Sequence, residues 1–219
     1  MSHEESLLLR AKKTAFSLAR AAGAGGPYWL SRSPFLARNG WFRSFRENTV
    51  VDGDGNALPW WPYAFRLFLE PRLGSGLRVF EYGSGYSSLW LARKVGAVES
   101  VEHSEEWADK MSKVAPANLT IVAESDPVSY VRACAKNAPW DVVVVDGINR
   151  KKCCLEAASH LTDGGVVIFD DTERPRYWHV VLEMREKGFR DLSIMGLGAL
   201  SNEAKQTTIL YRPDNCLGI

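Results

Sequence analysis

The residues best placed to do chemistry lie in one short run of the chain, from Val79 to Ser88, which reads VFEYGSGYSS. In this run an apolar strand end, an acid and two glycines stand directly ahead of an apolar helical pattern. Glycines allow a sharp turn and let a ligand approach the backbone closely. A strand that leads through such a turn into a helix N-terminus is typical of nucleotide binding.

A second acid supports a nucleoside site. Residues 98–102 read VESVE and predict the next strand, which ends at Glu102, 19 residues beyond Gly83. A carboxylate at the tip of the second strand can accept bidentate hydrogen bonds from ribose hydroxyls. A dinucleotide fingerprint, G-x-G-x-x-G, would have a third glycine where this chain has Ser88. The alternative is an ordinary turn flanked by solvated charges.

Further carboxylates follow the other predicted strands. Since ligands of open α/β sheets bind beyond the carboxyl ends of the strands, these side chains are expected at one rim. They repel one another unless cations or ligand donors lie among them. Three hard oxygen ligands on adjacent strand tips suit Mg²⁺. The strand-end set consists of Glu81, Glu102, the turn Glu124-Ser125-Asp126, Asp146 and the pair Asp170-Asp171.

The run Glu81-x-Gly83-x-Gly85 resembles motif I of the class I S-adenosylmethionine-dependent methyltransferases. In that family the acid helps to hold the cationic amino-acid end of the cofactor. The resemblance covers about residues 77–212 and implies S-adenosylmethionine (SAM) as the cofactor. The cofactor-binding residues it implies are Glu81, Gly83, Ser84, Gly85, Ser87, Ser88, Glu102, His103, Ser125, Asp126 and Asp146.

The strand-end aspartates are similar to those of the cation-dependent O-methyltransferases of the catechol and macrocin types. That resemblance implies Asp146, Asp170 and Asp171 as ligands of Mg²⁺, with Asp146 and Asp170 as catalytic residues. One position departs from the pattern: the catechol type has a general-base lysine three residues after the first aspartate, where this chain has Asn149. Lys151, a histidine such as His179, or the metal alone would then activate the acceptor. Helix capping is the alternative role of the Asp170-Asp171 pair.

The pattern from Leu77 onward alternates between strands and helices. Continuous apolar runs at 141–146 and 165–170 are typical of parallel strands buried on both faces. Two strands without a helix between them close the chain, which predicts a terminal antiparallel hairpin. We therefore expect an α/β fold: a Rossmann-like, doubly wound, mostly parallel seven-stranded sheet with a helical, aromatic N-terminal extension. The predicted strands are 77–82, 97–102, 119–123, 141–146, 165–170, 189–195 and 206–212, and the predicted helices are 86–95, 105–113, 127–136, 150–161 and 175–187.

The N-terminal part differs from the rest in charge and in aromatic content. Residues 1–50 carry eight Lys/Arg and three acids, a net charge of +5, whereas the whole chain has +1. Residues 4–22 predict an amphipathic helix, and residues 28–68 hold 11 of the 24 aromatics. Trp60, Trp61 and Tyr63 among them are a candidate lid over the acceptor, and core packing is the alternative that an aromatic stripe favours. We divide the chain into a basic, aromatic cap at 1–70 and a SAM-binding domain at 71–219. A solvated helix face that pairs with the acidic body is the alternative to an anionic partner.

Composition excludes several classes of protein. No run approaches the roughly 18 apolar residues that span a bilayer, and the basic residues after Leu9 stand in the wrong order for a signal peptide, so we expect a cytoplasmic protein. The four cysteines have neither disulfide nor zinc spacing and are expected to be reduced thiols.

We expect methyl transfer to a hydroxyl of a small molecule or glycan, with or without Mg²⁺. Residues 146–149 read DGIN instead of the Asn/Asp-Pro-Pro-Tyr turn of amino-directed nucleic-acid methyltransferases, which argues against nucleic acid, although RNA ribose methylation stays open. The alternative is a non-catalytic methyltransferase-like module that acts through its basic, aromatic N-terminus. Peripheral membrane contact and a homo-oligomer are both compatible with the sequence.

Overall fold

A computed structural model describes residues 3–219, and a single seven-stranded sheet forms its centre. The strand order is β3-β2-β1-β4-β5-β7-β6; the first five strands are parallel, and β7 runs antiparallel to both of its neighbours. The predicted fold class and the terminal hairpin are confirmed. The strands are β1 (Arg78–Tyr82), β2 (Ala97–Glu102), β3 (Leu119–Ala123), β4 (Trp140–Val145), β5 (Leu161–Asp170), β6 (Arg190–Leu197) and β7 (Ala204–Tyr211).

The helices cover both faces of the sheet, and three of them begin at a side-chain cap. Ser104 accepts a hydrogen bond from the Trp107 amide at the start of α7 (Glu105–Ser112), and Asp126 does the same for the Val128 and Ser129 amides at the start of α8 (Pro127–Arg132). The last predicted helix begins as a 3₁₀ turn at Pro175–Tyr177 before it becomes α-helical. The helices are α1 (His3–Ala21), α2 (Gly25–Ser31), α3 (Pro34–Arg38), α4 (Trp41–Glu47), α5 (Tyr63–Leu69), α6 (Tyr86–Ala92), α7 (Glu105–Ser112), α8 (Pro127–Arg132), α9 (Arg150–Ala157) and α10 (Trp178–Glu186).

The core lies on both faces of the central strands. Residues 142–145 of β4 are four consecutive valines with no exposed surface, because neighbouring strands and helices cover both faces. One face packs against α5 and α6, and the other packs against α8, α9 and α10. The strand order reverses between β1 and β4, so the crevice above these two strands is the expected ligand position of a doubly wound sheet.

Residues on both sides of the predicted boundary at residue 70 share one core. Leu36, Trp61 and Phe65 pack in the same apolar cluster as Val79 and Val142 of the sheet. In contrast, α2 buries none of its residues, and α1 packs on α2 through Phe16. The two N-terminal helices therefore form a separate layer outside the core.

Two expectations from composition can be compared with the structure. Within residues 3–219, no helix has the length and apolar character needed to cross a membrane. All four cysteines are free thiols, and Cys134, Cys153 and Cys154 are buried.

Candidate active site

The turn between β1 and α6 needs glycine at its first position. Gly83 has φ +91°, and a Cβ there would lie 2.8 Å from the Gly147 Cα, in the loop after β4. Gly85 has an extended backbone, and a Cβ there would meet nothing within 4 Å. Gly83 is therefore required by the packing of two loops, whereas Gly85 leaves space beside the backbone at the switch point.

We expect Gly83→Ala to destabilise the fold by about 1–3 kcal/mol, because it adds a strained φ and a clash with backbone. Gly85→Ala is the matched control and should stay within about 0.5 kcal/mol of the wild type, since any residue adopts its backbone conformation. Urea unfolding of the two variants measures both values. Equal stability of the two variants would contradict this account of the turn.

Glu81 is fully buried behind the turn. Ser88 Oγ and Ser100 Oγ both donate to its Oε2, while its Oε1 has no hydrogen-bond partner. Burial raises the pKa of Glu81 to about 7, although hydrogen bonds from Ser87, Ser88 and Ser100 act in the opposite direction. An unpartnered buried carboxylate oxygen is costly, so this atom is suited to a donor that the chain itself does not supply.

The raised pKa of Glu81 makes folding stability depend on pH. The folded state holds a proton that the unfolded state releases between the ordinary pKa of 4.5 and about 7. This contribution to stability is complete below pH 4.5 and is lost as the pH rises to about 7; it amounts to about 3 kcal/mol. Glu81→Gln should therefore be increasingly stable relative to the wild type as the pH rises through this window. Urea unfolding across the window tests this, and a constant difference between the two proteins would contradict it.

Glu102 ends β2 at the rim of the turn, and its two oxygens hold the local backbone. Its Oε2 accepts from the Ser84 amide at 3.0 Å, and its Oε1 accepts from the Ser104 amide at 3.0 Å. His103 Nδ1 lies 2.8 Å from the same Oε1. These bonds fix the orientation of the carboxylate. The fourth contact, from Ser84 Oγ to Oε2, is long at 3.5 Å, so it is the one that a ligand hydroxyl could replace.

A cleft of about 620 Å³ lies over the glycine turn. Predicted residues that line it are Gly83, Ser84, Gly85, Ser87, Glu102, His103 and Asp146. Trp60, predicted as part of a lid, also lines the cleft. The lining residues that sequence reasoning missed are Asn48, Thr49, Val50, Leu58, Tyr86, Trp107, Lys110, Gly147 and Leu200.

Four predicted cofactor residues do not line this cleft. Glu81 and Ser88 are buried beneath the turn. Asp126 instead caps α8, where its Oδ1 accepts from the Val128 amide at 3.2 Å and the Ser129 amide at 2.8 Å. Ser125 is exposed beside it and does not line the cleft either. The turn after β3 thus has a capping role through Asp126 Oδ1, and the assignment of Ser125 and Asp126 to the cofactor stays a prediction.

A second pocket of about 580 Å³ adjoins the cleft, and the two share Trp60, Asp146 and Leu200 as lining residues. Its other walls carry charged side chains from three elements, among them Arg150 of α9, Asp171 after β5 and Lys205 of β7. Asp146 is therefore the carboxylate that faces both spaces. Asp170, predicted to be catalytic, is 1% exposed and lines neither.

Comparisons with known proteins agree on the fold. No protein-family model and no curated protein sequence matches the chain. A methyltransferase from Pyrococcus furiosus superposes with a TM-score of 0.54 at 17% identity and covers 83% of this chain and 98% of its own. A methyltransferase-like protein from Silicibacter pomeroyi superposes with a TM-score of 0.52 at 25% identity, over 72% of this chain and 91% of its own. The fold is that of the class I methyltransferases.

Two further observations qualify this similarity. A Streptococcus mutans protein described as a methyltransferase was solved with bound SAH, and it superposes with a TM-score of 0.50 at 12% identity, over 68% of this chain and 96% of its own. Other structures with the same class I methyltransferase fold are named as a precorrin-6y methyltransferase, an rRNA methylase and an N-methyltransferase. The similarity therefore does not indicate an acceptor class.

The aspartate cluster was predicted to bind Mg²⁺, and the structure gives its charges other partners. Ligand atoms of Asp146, Asp170 and Asp171 lie within 4.8 Å of one another. Arg150 Nη2 lies 2.7 Å from Asp146 Oδ1, and Arg150 Nη1 lies 2.8 Å from Asp171 Oδ2. Lys205 Nζ lies 3.2 Å from Asp171 Oδ1 and 3.7 Å from Asp170 Oδ2. Two cations of the chain thus take the place of a metal, and these residues do not fit an Mg²⁺ site.

The aspartates keep both cations charged. Although burial acts against its charge, Asp170, Asp171 and Asp146 hold the pKa of Lys205 above its ordinary value. Burial raises the pKa of Asp146 to about 6, while Arg150 and Lys205 act in the opposite direction. Lys205 is therefore a positively charged donor in this class I methyltransferase fold. Burial also raises the pKa of Glu81 to about 7 and that of Asp170 to about 8, but of these three carboxylates only Asp146 lines the cleft and the second pocket.

The histidines and the candidate lid lie in different environments. Trp60 is half exposed, lines both spaces and packs over Lys205 Nζ, whereas Trp61 and Tyr63 are buried in the core. His160 pairs with Glu156 in α9, and His179 is exposed and lines neither space. Of the three lid residues, only Trp60 lines the second pocket.

Proposed function

We propose that the chain is a SAM-dependent methyltransferase that acts on a hydroxyl of a small-molecule or glycan acceptor without a metal ion. The observation that carries this proposal is the pair of adjoining spaces that meet at Asp146. One space lies over a glycine turn with a strand-tip glutamate, which suits a nucleoside. The other is rich in charged side chains and suits a polar second substrate.

The cleft over the turn would hold SAM, which when bound supplies an electrophilic methyl group. Glu102 would accept hydrogen bonds from the ribose hydroxyls, since the Ser84 and Ser104 amides already fix its orientation. Gly85 leaves open space for close approach of a ligand to the backbone. The resemblance to motif I assigns Glu81 to the cationic amino-acid end of SAM. Its unpartnered Oε1 lies beneath the turn and would reach a ligand only if the turn moves; a cation there would lower the pKa of Glu81.

Asp146 would accept the proton of the acceptor hydroxyl. Its side chain is 21% exposed, so a substrate can reach it, while Arg150 holds its Oδ1 at 2.7 Å. A pKa near neutrality is suited to a general base at working pH. Arg150 and Lys205 would stabilise the negative charge that grows on the acceptor oxygen, which is the task that Mg²⁺ has in the cation-dependent enzymes.

The acceptor pocket favours a hydroxyl-rich substrate over an apolar one. Besides Asp146, its wall carries the charged side chains of Arg150, Asp171, Glu173, Arg174, Glu203 and Lys205. These groups present both donors and acceptors, which suits sugar or polyol hydroxyls. Trp60 provides a flat aromatic surface at the boundary between the two spaces.

The test is transfer of a labelled methyl group from SAM to fractionated extracts, with Mg²⁺ or with a chelator. We expect label in a neutral, hydroxyl-bearing fraction, equal amounts in both buffers, and none with Glu102→Ala. Transfer only with Mg²⁺ would contradict the metal-free chemistry. Label on an amine or on RNA would overturn the acceptor class. SAM binding without any transfer would favour the non-catalytic module.

A further inference from the structure

The first helix has an apolar face that nothing in the described structure covers. Leu8 and Leu18 of α1 are 62% and 67% exposed. Ala11, Ala15 and Ala22 are exposed as well, and all five positions follow helical spacing along one side. The opposite side carries Arg10, Lys13 and Arg20. The helix is amphipathic, but its apolar side does not face the protein core.

The second helix packs on α1 through Phe16, away from the apolar face, and adds exposed apolar groups of its own. Trp29 and Leu30 of α2 are 58% and 48% exposed. The Trp29 ring lies 5.1 Å from the Phe16 ring of α1 and 5.9 Å from the Tyr28 ring, so the three aromatics form one cluster. A cavity of about 450 Å³ beside them is lined by only six residues, which are these aromatics and the cations Lys12, Lys13 and Arg32.

The charge of this segment points to an anionic partner. Residues 6–46 contain eight Lys/Arg and not one Asp or Glu. Among the salt bridges of the described residues, none involves Lys12, Lys13, Arg20 or Arg32. A solvated face paired with the acidic body would show such bridges, and these side chains instead stay available beside exposed apolar groups.

We propose that α1 and α2 form a docking surface for a bilayer of anionic phospholipids. An amphipathic helix with a basic polar face binds in the plane of the membrane interface. Tryptophan and tyrosine are enriched at that depth, and basic pockets bind acidic lipid headgroups. Leu8, Leu18 and Trp29 would enter the acyl boundary, while the long side chains of Lys12 and Arg32, which line the cavity, would reach lipid phosphates from the flank of the helix pair.

Two other occupants of the same surface are outcomes of the test. A second copy of the chain would cover the apolar face but would bring the same positive charge against it. A nucleic acid would neutralise the charge but would leave Leu8 and Leu18 exposed to water. A bilayer with acidic headgroups satisfies both the apolar and the charged groups, and this is why the structure favours it.

The experiment is co-sedimentation of the full chain with vesicles of phosphatidylcholine alone and of phosphatidylcholine mixed with phosphatidylglycerol. We expect binding to the mixed vesicles only, weakened by added salt. The double variant Leu18→Glu/Trp29→Glu should reduce the bound fraction by at least about tenfold. The matched control Leu182→Glu/Trp178→Glu, on side chains of α10 with 55% and 59% exposure, should bind like the wild type. None of these four side chains is in the core, so all variants are expected to fold.

Three results would overturn the proposal. The first is equal sedimentation with both kinds of vesicle, or none with either. The second is loss of a dimer in the Leu18→Glu/Trp29→Glu variant, seen by light scattering, without any vesicle binding of the wild type. The third is binding of a single-stranded oligonucleotide that the double variant retains and that vesicles do not compete for. None of these measurements depends on methyl transfer.

Discussion

Replacement of Arg150 by methionine is expected to lower the free energy of unfolding by about 3–5 kcal/mol, because it leaves buried carboxylates without their main counter-charge. The guanidinium pairs with Asp146 and Asp171 at 2.7 and 2.8 Å. It also donates to the backbone oxygens of Gly147 at 3.0 Å, Asp146 at 3.0 Å and Asp170 at 3.2 Å. Methionine keeps most of the apolar stem but none of these bonds. Urea unfolding measures the loss.

Arg174→Met is the matched control for this prediction. Arg174 Nη2 lies 2.7 Å from the same Asp171 Oδ2, but its side chain is 45% exposed, whereas that of Arg150 is 13% exposed. Arg174 stays partly in water, and without it the buried Asp171 still has Arg150 and Lys205 as counter-charges, so this variant should lose about 1 kcal/mol or less. The deficit of Arg150→Met should shrink in acid, as the aspartates become protonated. Similar losses in the two variants would show that Arg150 does not balance the cluster.

Asp146→Asn is expected to lower kcat by about 10²–10⁴ in the proposed reaction, because the amide cannot accept the proton of the acceptor. Asparagine keeps the size of the side chain. Affinity for SAM should change by less than about tenfold, since Glu102 and the glycine turn carry the cofactor interactions. Steady-state rates and calorimetric binding on the same preparation separate these two effects.

Asp163→Asn serves as the control for charge removal. Asp163 lies near the start of β5, is exposed, and lines neither space. The kcat of Asp163→Asn should equal that of the wild type. The midpoints of thermal unfolding show whether either variant is less stable than the wild type. Full activity of Asp146→Asn would exclude this residue as the general base and would leave Arg150 and Lys205 as the only acceptor-activating groups proposed.

The sheet could be predicted from the sequence because its signals are local and repetitive. The valines of β4 require burial on both faces, and glycine at position 83 is required by its positive φ and by its contact with Gly147. The order of strands and glycines along the chain is enough to place the switch point, and with it Glu102 and Asp146. The same reasoning correctly indicated the terminal hairpin, because no helical segment separates β6 from β7.

The partners of the aspartates could not be predicted, because they come from distant parts of the chain. Lys205 reaches Asp171 from β7, which lies between β5 and β6 in the sheet although it is the last strand in sequence. Nothing in the sequence indicates that Arg150, the neighbour of Asn149, pairs with the aspartates. Because of these two cations, we interpret the cluster as an ion-pair network and not as a metal site. The spacing of residues in the sequence does not reveal the tertiary contacts that compensate the charges.

The residues around the candidate cofactor cleft could likewise be predicted only in part. The position and type of Asp126 suit both a cofactor contact and a helix cap, and the hydrogen bonds from the Val128 and Ser129 amides establish the cap. The wall opposite the turn, at Asn48 to Val50 and Leu58, comes from a segment without any motif. Such residues enter a site because the segment at 48–58 packs against the core of the sheet, which the sequence does not reveal.

The most direct test of the central claim is calorimetric titration of SAM into the purified protein, with Mg²⁺ and with a chelator. We expect micromolar affinity in both buffers, a loss of at least about tenfold in Glu102→Gln, and none in Glu105→Gln, whose exposed side chain lies three residues further on and outside the cleft. No heat of binding for the wild type in either buffer would contradict the assignment of the cleft to SAM. Binding that requires Mg²⁺ would contradict the role given to Arg150 and Lys205.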